Sequence, residues 1–318
     1  MRILYFGYGN HAKKIRKTAI DFLRDKENLF EFAIKKNVSA NDSGIPMFSS
    51  FSQAINQCGK PDVVFISTPN EVHLEAFKLC LDSQIQYIYV EKPALGVEEY
   101  YAHRLKTSPV SLGYLAVGYH FLKNKAFIDL RDIIKAGTYG RVISISISSG
   151  HGLAFKDGYR SSWRSMGRLE IANTAASHLI SLARYLLDDS DIVECVQNLL
   201  SHAGNSASDT YHGHFIFSRG ECVTLMSSWA CPLIKNCTVV FTDGIWTYDF
   251  KKVQIFYPRN SYDQNGLFQS PPLALEEDAP FKGIAPSIRD FLTKARTGKV
   301  FPPFFGFSGE ISRIVSKA

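Results

Sequence analysis

No apolar run in the 318 residues approaches the ~18 residues that suggest a membrane-spanning helix, so no membrane partner is expected. The six cysteines, at 58, 80, 195, 222, 231 and 237, form no CxxC pair and share no zinc-type spacing with histidine. They read as small buried apolar side chains, and no metal site is expected. Long basic runs are also missing. The net charge of +6 is spread along the chain, with one short cluster at Lys13, Lys14, Arg16 and Lys17. No nucleic-acid partner is therefore expected. The opening MRILYFGYG reads directly as a strand and lacks the charged, apolar and small-residue order of a secretory signal. A reducing, cytoplasmic setting is the expectation. There is no internal repeat and no low-complexity tract. What is present is ordinary for a globular protein with a full core, 45% hydrophobic and 21% charged residues. The length suits two domains.

The first third alternates short apolar runs with amphipathic segments. Strands are expected at Ile3–Phe6, Leu29–Ile34, Val63–Ser67, Tyr87–Val90 and Ser111–Val117. Helices are expected at His11–Arg24, Phe51–Cys58, Val72–Leu81 and Glu98–Leu105. Strands separated by helices predict a doubly wound parallel sheet over residues 1–118. The pattern then changes. A long helix is expected at Leu122–Ala136, ending at Gly137. Arg141–Ser149 alternates apolar residues with serines, the period of a half-buried strand. A helix follows at Ile171–Leu187. Strand-like runs come next at Glu194–Leu200, Thr210–Phe217, Cys222–Trp229, Thr238–Thr242, Ile245–Phe250 and Val253–Tyr257. Residues 258–282 read as a long irregular loop. Ser287–Arg296 is a final helix, and Gly309–Val315 begins a short one. Residues 119–318 thus predict an α+β domain with an open, mostly antiparallel sheet. The fold class is α/β at the N-terminus, followed by that second domain.

Gly7-Tyr8-Gly9-Asn10-His11-Ala12 follows a strand and opens a helix. The first glycine permits the tight turn, and the second lets backbone approach a pyrophosphate. The helix N-terminus supplies unpaired N–H groups, and Ala12 is small enough for close helix–strand packing. This is a dinucleotide-binding pattern, with Asn10 and His11 placed to meet the phosphates. The second strand ends at Lys35 and Lys36 rather than at a carboxylate. Ammonium groups cannot accept ribose hydroxyl protons but would attract a 2′-phosphate, which tilts the expected cofactor from NAD toward NADP. Both lysines would equally suit a solvated loop.

These residues, with Ser67-Thr68-Pro69-Asn70 and His73, Glu91-Lys92-Pro93, Val117-Gly118-Tyr119, Trp163-Arg164 and His178, resemble the glucose-fructose oxidoreductase / inositol dehydrogenase / MocA (Gfo/Idh/MocA) family. The resemblance covers most of the chain and is strongest over residues 1–187. It implies a Rossmann domain followed by an open-sheet substrate and oligomerisation domain. The implied activity is an NAD(P)-dependent dehydrogenase or reductase acting on a CH–OH group of a sugar, cyclitol or sugar nucleotide. It places Ser67, Thr68, Pro69, Asn70 and His73 along the cofactor, and Glu91, Lys92 and Pro93 near the nicotinamide, with Lys92–Pro93 as a candidate cis peptide. Lys92 and His178 would be the catalytic pair. A homodimer or homotetramer through the open sheet is also implied. Two positions depart from the family pattern. Aspartates four residues before and three after the histidine are common there, and this chain has Thr174 and Ser181 instead.

Moving a hydride at a carbinol carbon requires a proton to move at its oxygen, and a positioned acid/base contributes about 10²–10⁴-fold. Lys92, at the end of a strand where open α/β sheets bind ligands, is the candidate. His178 shares a helical face with Ala175, Leu179 and Leu182 and reads either as a core histidine or as a second acid/base. Tyr119, His120, Trp163, Arg164, Asn173 and Thr174 are candidate substrate contacts, Arg164 suiting an anionic group. His212 and His214 lie on one strand face and read as structural. A protein of this fold that binds NAD(P) as a silent sensor or scaffold is the alternative, favoured by the hydroxyl at Thr174.

Overall fold

In the computed structural model, which describes residues 1–36, 44–107, 112–165, 167–204, 207–301 and 307–318, strand and helix alternate from the first residues. The chain divides into two units. The first is Met1–His120 with Ile284–Ser312, and the second is Phe121–Gly283 with Arg313–Ala318. The division differs from a single cut after residue 118, because a late segment returns to the first unit.

The first unit holds strands β1 (Arg2–Phe6), β2 (Phe30–Ile34), β3 (Met47–Phe48), β4 (Val63–Ile66), β5 (Tyr87–Val90) and β6 (Tyr114–Val117). They form one parallel sheet in the order β3-β2-β1-β4-β5-β6. The order reverses between β1 and β4, and open α/β sheets bind ligands beyond the carboxyl ends of strands at such a reversal. Both faces are covered, so the strands read as continuous apolar runs rather than alternating ones. On one face Ile3, Tyr5, Phe65 and Tyr89 pack with helix α1 (Asn10–Leu23) and with a helix from near the C-terminus. On the other, Leu4, Val64, Ile66 and Ile88 pack with α2 (Phe51–Cys58), α3 (His73–Asp82) and α4 (Val97–Thr107). Ser50 caps α2, its hydroxyl accepting from the Gln53 N–H.

The second unit contains α5 (Lys125–Ala136), α6 (Ser177–Leu186) and strands β7 (Val142–Gly150), β8 (Ile192–Leu200), β9 (Thr210–Phe217), β10 (Cys222–Ser228), β11 (Ile234–Phe241), β12 (Ile245–Tyr248), β13 (Lys252–Phe256) and β14 (Leu273–Asp278). Their sheet order is β14-β13-β12-β11-β7-β10-β9-β8. Among the described residues of this sheet, only β7 and β10 pair in parallel. The expected open, mostly antiparallel sheet is present. Helix α7 (Ala285–Thr297) then returns to the first unit, and α8 (Phe307–Val315) closes the chain.

Three expectations are corrected. The segment 258–282 is not wholly irregular, since β14 pairs with β13 and Tyr262 bridges Phe268. Every residue of β14 is exposed, so it carries no buried alternation to read. Strand β3 has two residues and was not expected. The helix expected from Leu122 starts at Lys125, because the Asn124 side chain accepts from the Ala126 N–H and sets the N-cap there. No helix among the described residues is long and apolar enough to cross a membrane.

Candidate active site

Gly7 follows β1 in the left-handed region at φ 87°, where a side chain is costly. Its N–H donates to the Ile34 carbonyl of β2, and its own carbonyl accepts from the Ser67 hydroxyl at 3.1 Å. A methyl group at Gly7 would come within 2.9 Å of the Thr68 nitrogen. The glycine thus lets the turn after β1 lie directly against the turn after β4. Gly9 is different. It sits at the N-cap of α1, and nothing lies within 4 Å of where its Cβ would be. That open space sits over the unpaired N–H groups of the first helical turn, the arrangement that receives a pyrophosphate. Asn10 and His11 are exposed in that turn, and Ala12 is fully buried between helix and sheet.

The turn after β4 carries Ser67, Thr68, Pro69 and Asn70 and winds into a short 3₁₀ turn, Asn70–Val72. The Thr68 hydroxyl oxygen is buried with no hydrogen-bond partner among the described residues, the state of a group that a bound molecule would satisfy. His73 opens α3 with its ring buried. Nδ1 lies 3.0 Å from the Pro93 carbonyl and Nε2 2.9 Å from the Thr68 carbonyl. It therefore ties the turn after β4 to the turn after β5. A neutral imidazole donates to only one of these oxygens. Burial pushes the His73 pKa down, opposed by both carbonyls and by Glu91.

Glu91-Lys92-Pro93 follows β5, and the Lys92–Pro93 peptide is cis. Glu91 is buried, and its N–H donates to the Ile66 carbonyl of β4. Its Oε1 lies 2.8 Å from His11 Nε2. Its carboxyl group packs against Gly118, where a methyl group would meet Oε2 at 2.7 Å. Burial works to raise the Glu91 pKa. The His11 imidazole, with smaller help from His120 and Lys92, outweighs burial and holds it below the ordinary carboxylate value. His120 lies beyond β6 within the field of the same carboxylate. Burial, reinforced by Lys92 and His11 against the pull of Glu91, lowers its pKa to about 4. His11, Glu91, Lys92 and His120 therefore form one electrostatic group at the carboxyl ends of the first unit's strands. Sequence reading gave these residues separate roles; the pairing of His11 with Glu91 had no signal in their spacing.

Tyr119 is buried beside this group in the chain. Lys35 and Lys36 follow β2, the first half-buried and the second exposed. The remaining candidates belong to the second unit. His178 is buried in α6, its ring stacked on Phe121 at 5.1 Å. The residues before it, Ala172–Ala176, wind as a π turn rather than an α-helix, a feature frequent at functional sites. There the Thr174 hydroxyl donates to the Glu170 carbonyl, and the Asn173 carbonyl accepts from the Ser177 hydroxyl at 2.6 Å. Arg164 lies in a 3₁₀ turn, Trp163–Ser165. Burial lowers its pKa, opposed by Glu170. The side chain of Trp163 lies outside the described residues.

Two family models match the chain. Residues 7–105 match an oxidoreductase family with an NAD-binding Rossmann fold, and residues 127–247 match the GFO/IDH/MocA C-terminal domain. No curated protein matches the sequence. Among solved structures, levoglucosan dehydrogenase in complex with NADH and levoglucosan is 16% identical with a TM-score of 0.77, over 99% of this chain and 95% of that one. An oxidoreductase from Thermotoga maritima is also 16% identical with a TM-score of 0.77, over 100% and 94%. A UDP-N-acetylglucosamine 3-dehydrogenase from Acidithiobacillus ferrooxidans is 15% identical with a TM-score of 0.70, over 100% and 95%. At such identities the likeness is one of fold.

Proposed function

Since the chain belongs to the GFO/IDH/MocA oxidoreductase family, we propose that it transfers a hydride between a nicotinamide dinucleotide and a hydroxyl or ketone carbon of a sugar, cyclitol or sugar nucleotide. The observation that carries this reading is the joining of the glycine turn to the Glu91-Lys92-Pro93 turn through His11 and Glu91. Three features fit the dinucleotide: the open face at Gly9, the first-turn N–H groups of α1 and the buried Thr68 hydroxyl. When bound, the nicotinamide supplies or accepts the hydride.

The chain's own residues have separable tasks. Ser67 and Gly7 hold two turns against each other, and His73 joins the second of these to Pro93. Lys92 is the proton donor or acceptor at the substrate oxygen. His178, in the second unit, is proposed as a further acid/base or hydroxyl-binding group, and Arg164 as a contact for an anionic substituent. Lys35 and Lys36 favour a 2′-phosphate, so NADP is proposed ahead of NAD. A homodimer or homotetramer through the open sheet is proposed with the family. One observation favours a second reading, a binding protein without turnover: Thr174 offers a hydroxyl where a carboxylate would serve an acid/base histidine.

The test is purified protein assayed with NADH and NADPH against a panel of sugars and sugar nucleotides, beside Lys92→Met. Turnover lowered about 10²–10⁴-fold by the substitution, with cofactor affinity kept, is the expected result. Undiminished turnover in Lys92→Met rejects the lysine. Cofactor binding with no redox change on any panel member selects the second reading.

A further inference from the structure

Glu91 is buried and its pKa is held low, so an anion stands beside the turn that is proposed to receive two phosphates. An uncompensated carboxylate there would repel them. The group facing it is His11, the second residue of a 14-residue helix that begins at the glycine turn. The imidazole engages Glu91 through Nε2 at 2.8 Å, while the side chain remains 43% exposed. Nδ1 is then the ring nitrogen left for an outside acceptor. Few features of the fold leave Glu91 another place. Its backbone is fixed by the bond to Ile66, and its carboxyl group is seated on Gly118.

We propose that His11 and Glu91 act as a dyad in which the buried carboxylate positions a protonated imidazole to bind the cofactor pyrophosphate. His11 is the binding residue, and Glu91 is a positioning residue that acts through it. The inference rests on the dinucleotide reading and deepens it. Binding of an anion favours the protonated imidazole, so dinucleotide affinity is expected to rise on acidification. The other titratable groups facing this pair are Lys92, His120, His73 and Tyr89, which interact with the same carboxylate. His120 titrates at about 4, below the range to be tested. Lys13, on the same helix, sits 5.9 Å over the Tyr8 ring.

The experiment is titration of the whole protein with NADH between pH 6 and 8.5, read by calorimetry. NADH is used because its pyrophosphate keeps a constant charge over that range, unlike the 2′-phosphate of NADPH. The wild-type Kd is expected to rise about tenfold from the acid to the alkaline end, the scale of one charge-assisted hydrogen bond. His11→Gln is expected to give a weak and flat profile. Glu91→Gln is expected to flatten it likewise although the imidazole is intact, which a merely structural role for Glu91 would not do. If Glu91→Gln does not fold, Gly118→Ala displaces the same carboxyl group and carries the same expectation. Profiles of wild type and His11→Gln that run parallel overturn the dyad and leave the dinucleotide reading standing. A wild-type protein that binds neither NADH nor NADPH at any pH overturns both.

Discussion

Gly7 and Gly9 stand two residues apart in one turn and meet opposite surroundings. Gly7 has φ 87° and a backbone nitrogen 2.9 Å from the site of a Cβ, whereas Gly9 has φ −91° and nothing within 4 Å. Gly7→Ala is therefore expected to cost about 1–3 kcal/mol of stability through strain and crowding, lowering the melting temperature. Gly9→Ala is expected to leave the melting temperature within a degree or two and to weaken NADH binding, because the added methyl enters only open space, where the dinucleotide is proposed to lie. Thermal melts beside NADH titrations separate the two. The sequence motif assigns Gly7 to the tight turn and Gly9 to the close approach of a pyrophosphate. It gave no hint that Glu91 would turn back onto His11, because 80 residues, including strands β2, β3 and β4, separate them. The family resemblance implies a cofactor contact for His73; the structure adds that its ring is buried within reach of two carbonyls, those of Pro93 and Thr68.

Legibility at the level of elements followed burial. Tyr87–Val90, Phe51–Cys58 and Thr210–Phe217 have the bounds their patterns predicted, since the strands alternate or run apolar and the helix repeats Phe51, Ala54, Ile55 and Cys58 on its packed face. β14 was missed because an exposed edge strand has no inward face, and β3 because two residues make no period. The π turn at Ala172–Ala176 is also invisible to periodicity, which reads the whole of 171–187 as one helix. On the open sheet, β8 is mostly exposed, with Val193 at 64% and Val196 at 49%. Exposed apolar residues along an edge strand invite pairing or coverage. If the sheet joins subunits, light scattering will give a dimer or tetramer mass. Val193→Asp with Val196→Asp will lower that mass by at least half, while a wild-type monomer would remove this face as an interface.

For the molecule as a whole, the site electrostatics set an acid limit. The folded-state pKa of His120 is about 4 against an ordinary value of roughly 6.5, so the unfolded chain binds more protons between those values. Stability is thus full above pH 6.5 and declines as pH falls to 4, by up to about 3 kcal/mol from this residue. The depressed Glu91 pKa acts in the same direction. Its contribution is present above the unfolded-state value and is lost as pH falls through the folded one. Urea unfolding from pH 4 to 8 should show this slope, reduced in His120→Asn; an unchanged slope in that variant would assign the acid sensitivity elsewhere. The returning helix α7 has a different consequence. Phe291 packs against Phe65 and Tyr89, so a wall of the first unit is supplied by a segment that leaves the ribosome only after residues 121–283 of the second unit have emerged. The nascent Rossmann sheet must wait with its β4–β5 face uncovered, an interval in which chaperone capture competes with completion of the fold.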